Sequence, residues 1–103
     1  MRVVKQVRDA ARLKLLFLPH ALRQMSHPDR MISPGEVEQV VLEGVLVEEY
    51  PMDPRGPSCL LLGFGEGTRA VHVVCAPKED YLAIITAYLP DPEQWTPDFM
   101  RRC

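Results

Sequence analysis

Four apolar segments in the second half of the chain are joined by connectors too short to hold a helix, and that spacing restricts the fold more than any other feature. The segments are VLVEEY (45–50), SCLLLGF (58–64), TRAVHVVCA (68–76) and YLAIITAYL (81–89), and the connectors are PMDPRGP, GEG and PKED. Parallel neighbours need a crossover of roughly a dozen residues or more. Links this short make neighbouring strands antiparallel, so the segments form a meander.

Upstream of Gly44 the apolar period is that of a helix. In VVKQVRDAAR (3–12), Val4, Val7 and Ala11 share one face while Lys5, Arg8 and Arg12 lie elsewhere on the surface. Leu13 to Leu18 reads as a short strand. Pro19 opens a helical turn that carries Ala21, Leu22 and Met25 and stops at Pro28. Ser33 with Glu36 makes a capping box, Pro34 takes the first helical position, and Ile32 can staple onto Val37. This predicts a helix over 34–43 that buries Val37, Val40 and Val41 and ends on a left-handed Gly44.

Helices first and a meander afterwards predict an α+β fold, with two or three short helices packed on an antiparallel sheet of four or five strands. A chain of 103 residues, 47% of them hydrophobic, can bury one such core. The expectation is a single domain over 1–103, in which the proline-rich tail 90–103 crosses the surface and is held by Trp95 and Phe99.

The charge totals do not by themselves suggest a polyanion binder, since the net charge is only −2. The distribution is uneven. Residues 1–30 carry seven Lys or Arg against two acids, and residues 31–103 carry five against twelve. The excess permits a basic face at the amino-terminal end. No apolar run approaches the roughly 20 residues of a membrane span, so a cytoplasmic protein with no membrane partner is expected. Cys59, Cys75 and Cys103 show no C-x-x-C spacing and are expected to be reduced, the first two buried in strands.

Within RAVHVVCA (69–76) one histidine interrupts an apolar strand. Alternation puts Arg69, Val71, Val73 and Cys75 on one face, and Ala70, His72, Val74 and Ala76 on the other. In the next strand Leu82, Ile84, Thr86 and Tyr88 share a face, and a simple register across PKED brings His72 and Tyr88 together near one end of the sheet. His72 either satisfies its hydrogen bonds locally or serves a site. RNA cleavage by 2′-hydroxyl attack needs a base, an acid and cations around phosphorus. His20, His72 and Tyr88 are the candidates for proton transfer, and Arg23, Arg30 and Arg69 for phosphate binding. His20 sits at the start of a short helix, where a neutral imidazole can act as a base or its side chain can cap the backbone. Other chemistries are poorly served. The histidines and cysteines lack metal-ligand spacing, no phosphate-binding glycine loop is present, and no cofactor is expected.

The pattern His20-Ala21, Arg30-x-Ile32, Val37, Val40-Val41, Gly44, Glu49-Tyr50, Leu60-Leu61-Leu62-Gly63, Val71-His72-Val73-Val74, Ile84-Ile85-Thr86-Ala87-Tyr88, Pro90 and Trp95 resembles a family of small bacterial domains of unknown function that open with a His-Ala pair. These are distantly similar to RelE and BrnT type toxins of toxin–antitoxin systems. The resemblance implies helices against an antiparallel sheet, with His20, Arg30, His72 and Tyr88 lining a common site. It also implies an RNA partner, an acidic antitoxin-like protein partner and, if the protein is an enzyme, a metal-independent endoribonuclease. The chain departs from the pattern in one place. Gln24, with Arg23 beside it, stands where an arginine usually follows the first histidine by four residues, and the spacing to Arg30 is two residues longer. The competing expectation is a non-catalytic interaction domain that pairs through its basic amino-terminal helix or a sheet edge, with a second copy of itself among the partners.

Overall fold

The computed structural model describes residues 2–103. In chain order the elements are α1 (Arg2–Leu13), β1 (Leu15–Phe17), α2 (Pro19–Met25), α3 (Pro34–Glu43), β2 (Val45–Tyr50), β3 (Ser58–Phe64), a 3-10 turn (Glu66–Thr68), β4 (Ala70–Pro77) and β5 (Leu82–Tyr88). Three helices pack on one five-stranded sheet of order β1-β5-β4-β3-β2. The strands from β2 to β5 form the antiparallel meander that their connectors require. β1 departs from it. It pairs parallel to β5, with Leu15 opposite Leu82 and Phe17 opposite Ile84, so the sheet is mixed rather than purely antiparallel. Between β1 and β5 the chain passes through two helices and three strands, and so long an excursion allows a return in the same direction.

The helix-facing side of the sheet holds the main core, where Val7 and Ala10 of α1 and Val37 and Val40 of α3 pack with Leu61, Val71, Val73 and Ile84. Each such aliphatic side chain removed from water stabilises the fold by about 1.5–3 kcal/mol. α3 begins on the expected capping box, with Glu36 N–H donating to Ser33 Oγ at 3.1 Å and Ser33 N–H donating to Glu36 Oε1 at 3.2 Å. Its end differs from expectation. Gly44 is extended (φ −74°), not left-handed. Glycine is required there by crowding, because a Cβ would meet Val40 O at 2.5 Å and Leu62 O at 2.6 Å.

Two bulges decide which side chains reach the other side of the sheet. Val74 pairs with Thr86 but Cys75 pairs with Ile84, which leaves Ile85 as the extra residue in β5. An extra residue reverses the alternation beyond it. Leu82, Ile84 and Ala87 therefore face the helices, while Ala83 and Ile85 belong to the small second cluster opposite. The expectation that Leu82, Ile84, Thr86 and Tyr88 share one face is thus corrected: Thr86 and Tyr88 go with His72. In β2, Leu46 opposes Leu61 and Glu48 opposes Leu60, so Val47 is extra and Glu48 turns away from the helices. The connector between β3 and β4 contains a 3-10 turn with left-handed Gly67 (φ 62°) and Thr68 (φ 60°).

The tail doubles back on itself. Trp95 bridges to Arg102, Thr96 N–H donates to Arg101 O at 2.8 Å, and Cys103 N–H donates to Gln94 O at 3.0 Å. Trp95 is buried and Phe99 half-buried. Among the described residues no helix is long and apolar enough to cross a membrane. Cys59 and Cys75 are free, buried and opposite each other in register, while Cys103 is exposed.

Candidate functional site

The side of the sheet away from α1 and α3 carries the polar residues singled out in the sequence. His72 lies there with no exposed surface. Its Nε2 is 2.9 Å from the Phe99 carbonyl oxygen and its Nδ1 is 3.2 Å from Tyr88 Oη. A carbonyl can only accept, so Nε2 carries the proton. Burial pushes the imidazole below its usual pKa and keeps the ring neutral, which leaves Nδ1 to accept from the Tyr88 hydroxyl. Trp95 closes the ring off edge-on, with centroids 4.5 Å apart. Every polar atom of His72 is satisfied inside the fold, and the ring touches no solvent-filled space.

Tyr88 stands at the boundary. It is half-buried, and it lines an open cleft of about 420 Å3 together with His20, Gln24, Arg30, Thr86 and Asp91. Pro19 starts α2 directly after β1, and α2 packs along β5 by burying Ala21 and Met25, which leaves His20 and Gln24 bordering the cleft. No side chain caps this helix, so His20 is not its cap. Arg30 comes from the loop after α2, and its Nη1 donates to Gln24 Oε1 at 2.8 Å. Gln24 therefore steadies Arg30 at the position where the resembled domains carry arginine. Arg23, its neighbour, is exposed and does not line the cleft. A second cavity of about 470 Å3 shares His20 and Thr86 and is bordered by Tyr50, Arg55, Val74 and Ile85.

Arg69 does not reach the cleft with its side chain. Its Nη2 and Nε donate to Glu36 Oε1 and Oε2 at 2.7 and 3.0 Å, and its Nη1 donates to Arg30 O at 2.9 Å. Glu66 N–H adds a further bond to Glu36 at 2.8 Å. The fork from Arg69 holds the Glu36 carboxyl below the usual carboxylate range against the opposing cost of burial. Through the Arg30 carbonyl, Arg69 pins the backbone that presents Arg30. The structure thus gathers His20, Arg30 and Tyr88 at one cleft, seals His72 directly behind Tyr88, and leaves Arg23 and Arg69 outside.

Several participants carried no sequence signal. Glu48, turned over by its bulge, accepts from Arg102 Nη2 at 3.0 Å and Nε at 3.2 Å, and from the Tyr50 hydroxyl. Arg102 chiefly, then Tyr50, hold the Glu48 carboxyl below its usual range, while burial chiefly, then Glu48, push the Tyr50 phenol up to about 12. Arg102 also lies over the Trp95 ring, 4.6 Å from its centre. Gln24 and Glu36 were visible only as a departure from a pattern and as half of a capping box. Among the described residues no group of three or more His, Cys, Asp or Glu is arranged to hold a metal.

Residues 17–89 match the family model described as a domain of unknown function, DUF4258. The chain belongs to the DUF4258 family. The match runs from the last residue of β1 to just past β5 and takes in His20, Gln24, Arg30, Thr86 and Tyr88, whereas the cleft residues Asp91, Gln94 and Trp95 lie beyond it. α1 and the tail lie outside it. No curated protein and no solved structure matches the chain.

Proposed function

We propose that this DUF4258 domain binds RNA in the cleft between α2 and β5, as a module of the RelE/BrnT-like kind that its residue pattern resembles. The observation that supports it is the convergence of His20, Arg30 and Tyr88, from three separate parts of the chain, on one open cleft. Arg30, steadied by Gln24, offers a guanidinium to a phosphate, and Arg69 holds the loop behind it. His20 is the imidazole in contact with that space. Binding is favoured over cleavage because His72, the second imidazole a base–acid pair would use, is sealed behind Tyr88.

The test is an RNA gel shift at low salt with the wild type and with Arg30→Ala and His20→Ala. Retarded, intact RNA with the wild type and weaker retardation with both variants is expected. No retardation at micromolar protein would refute the proposal, and His20-dependent cleavage would show that one histidine suffices for chemistry.

A second reading has its own observation. A cavity of about 740 Å3, bordered by Lys5, Arg8, Asp9 and Arg12 of α1 and by Glu43, lies against the sheet-edge strand β2 at Val45 and Leu46. Arg8 Nε is buried there without a partner. This edge suits a non-catalytic contact with an acidic segment of another chain. Light scattering of the protein alone and with an acidic peptide tests it.

A further inference from the structure

We infer that Tyr88 recognises the ribose 2′-hydroxyl in the cleft, so that the site distinguishes RNA from DNA through a hydrogen bond whose direction His72 dictates. The inference deepens the RNA-binding proposal and rests on it. It begins with the Phe99 carbonyl, which can only accept and so places the single proton of a neutral His72 on Nε2. Nδ1 then has only a lone pair to offer, and the one hydrogen of the Tyr88 hydroxyl, 3.2 Å away, is committed to it. The phenol oxygen keeps its lone pairs. Toward the cleft Tyr88 is therefore an acceptor alone, and a ligand group that meets it has to bring a proton.

Three other cleft residues, Arg30, Gln24 and Asp91, fit that polarity. Arg30 supplies donors on one side. Gln24 has its amide oxygen occupied by Arg30, which leaves its NH2 group as a donor. Asp91 lines the same cleft and is a second acceptor, although one of its oxygens already takes the Glu93 N–H at 2.9 Å. A bare anion would be attracted to Arg30 and repelled by Asp91. A phosphate with hydroxyls beside it satisfies both halves of the site, and a ribose phosphate is that arrangement. Deoxyribose has no proton to give at the 2′ position, so it leaves the Tyr88 oxygen desolvated and unpaired. Sites built around a substrate hydroxyl discriminate in this way against the analogue that lacks it.

His72 is a positioning residue here, since it touches no ligand and acts only by holding the phenol hydrogen. The tail enters for the same reason, because Phe99 sets the tautomer on which the direction of the bond depends. This gives the tail, which lies outside the family match, a part in specificity.

The experiment compares three fluorescently labelled oligomers of one sequence, with ribose, deoxyribose and 2′-O-methylribose, by anisotropy at low salt. Wild-type protein and Tyr88→Phe are titrated, oligomer integrity is checked on gels, and circular dichroism confirms that both proteins are folded. The wild type should prefer the ribose oligomer by about three- to tenfold, the range of one net hydrogen bond. The deoxyribose and 2′-O-methyl oligomers, which lack the donor, should bind alike. Tyr88→Phe should abolish the preference, so that the ribose and deoxyribose oligomers bind alike. Equal affinities with the wild type, or a ribose preference that survives in Tyr88→Phe, overturns the inference and leaves the RNA-binding proposal standing. Binding to none of the three oligomers overturns both.

Discussion

Tyr88 stands opposite His72 across two strands because Ile85 is one residue too many in β5. Without that bulge the phenol would point into the helix-facing core and the imidazole Nδ1 would lose its partner. The two rings meet edge-on, with centroids 5.3 Å apart, and they form the floor of the far side of the sheet.

Truncation of the buried ring should therefore be costly. His72→Ala removes a fully buried side chain, leaves a hole beside Trp95, and strands the Phe99 carbonyl and the Tyr88 hydroxyl. The cavity and the unpaired groups together predict a loss of about 2–4 kcal/mol. Urea denaturation monitored by circular dichroism measures it. A loss under about 0.5 kcal/mol would show that the tail does not order this ring.

Acid should unfold the protein in two stages. His72 has its pKa lowered, chiefly by burial, from an ordinary value of 6.5, so the unfolded chain binds its proton first. Its contribution is complete above that value and is lost as pH falls below it. Glu36 and Glu48, lowered from 4.5 chiefly by Arg69 and Arg102 respectively, follow the same sign and lose their contribution below that value. Urea midpoints should decline between pH 7 and 5 and then fall further, and His72→Gln should abolish only the first decline. A first decline of equal size in that variant would assign it to another group.

How much of this was legible in the sequence depends on the range of the interaction involved. The meander could be read because connector length is local, and α3 because Ser33, Pro34 and Glu36 announce its start within four residues. The direction of β1 could not, since its partner lies more than 60 positions along the chain. The bulges at Val47 and Ile85 come from competition between register and packing across strands, which no single segment displays. His72 and Tyr88 meet near one end of the sheet as expected, but through the Ile85 bulge and not a simple register, and the ring is sealed by Trp95 and Phe99, whose docking no periodicity predicts. Arg69 read as a free phosphate ligand because its partner Glu36 is 33 residues away and already looked employed as a cap.

Two glycines should respond in opposite directions to alanine. At Gly44 a Cβ would lie within 2.6 Å of two backbone oxygens, and neither Val40 nor Leu62 can yield without breaking the contact of α3 with β3. Gly44→Ala should cost about 1–3 kcal/mol, as overpacking does. Gly35 lies in the first turn of α3, where the nearest atom to an added Cβ is Ser33 Oγ at 3.8 Å. Gly35→Ala should gain about 0.5–1 kcal/mol by removing backbone freedom from the unfolded chain. Paired thermal melts test the contrast, and a stabilising Gly44→Ala would contradict the crowding argument.

Besides the Phe99 carbonyl, two side chains hold the tail over His72, and they differ in strength. Arg102 pairs with Glu48 while its side chain is 59% exposed, and such pairs contribute about 1 kcal/mol or less. Trp95 is 4% exposed and packs on the imidazole, so its truncation should cost about 3–5 kcal/mol. Arg102→Ala should leave the tail docked and the His72 ring resonances in place. Trp95→Ala should release the tail, admit water to the ring, and return its titration toward the ordinary 6.5. NMR titration of the imidazole in both variants separates the two contributions. Release of the ring by Arg102→Ala alone would make the ion pair, and not the indole, the clamp.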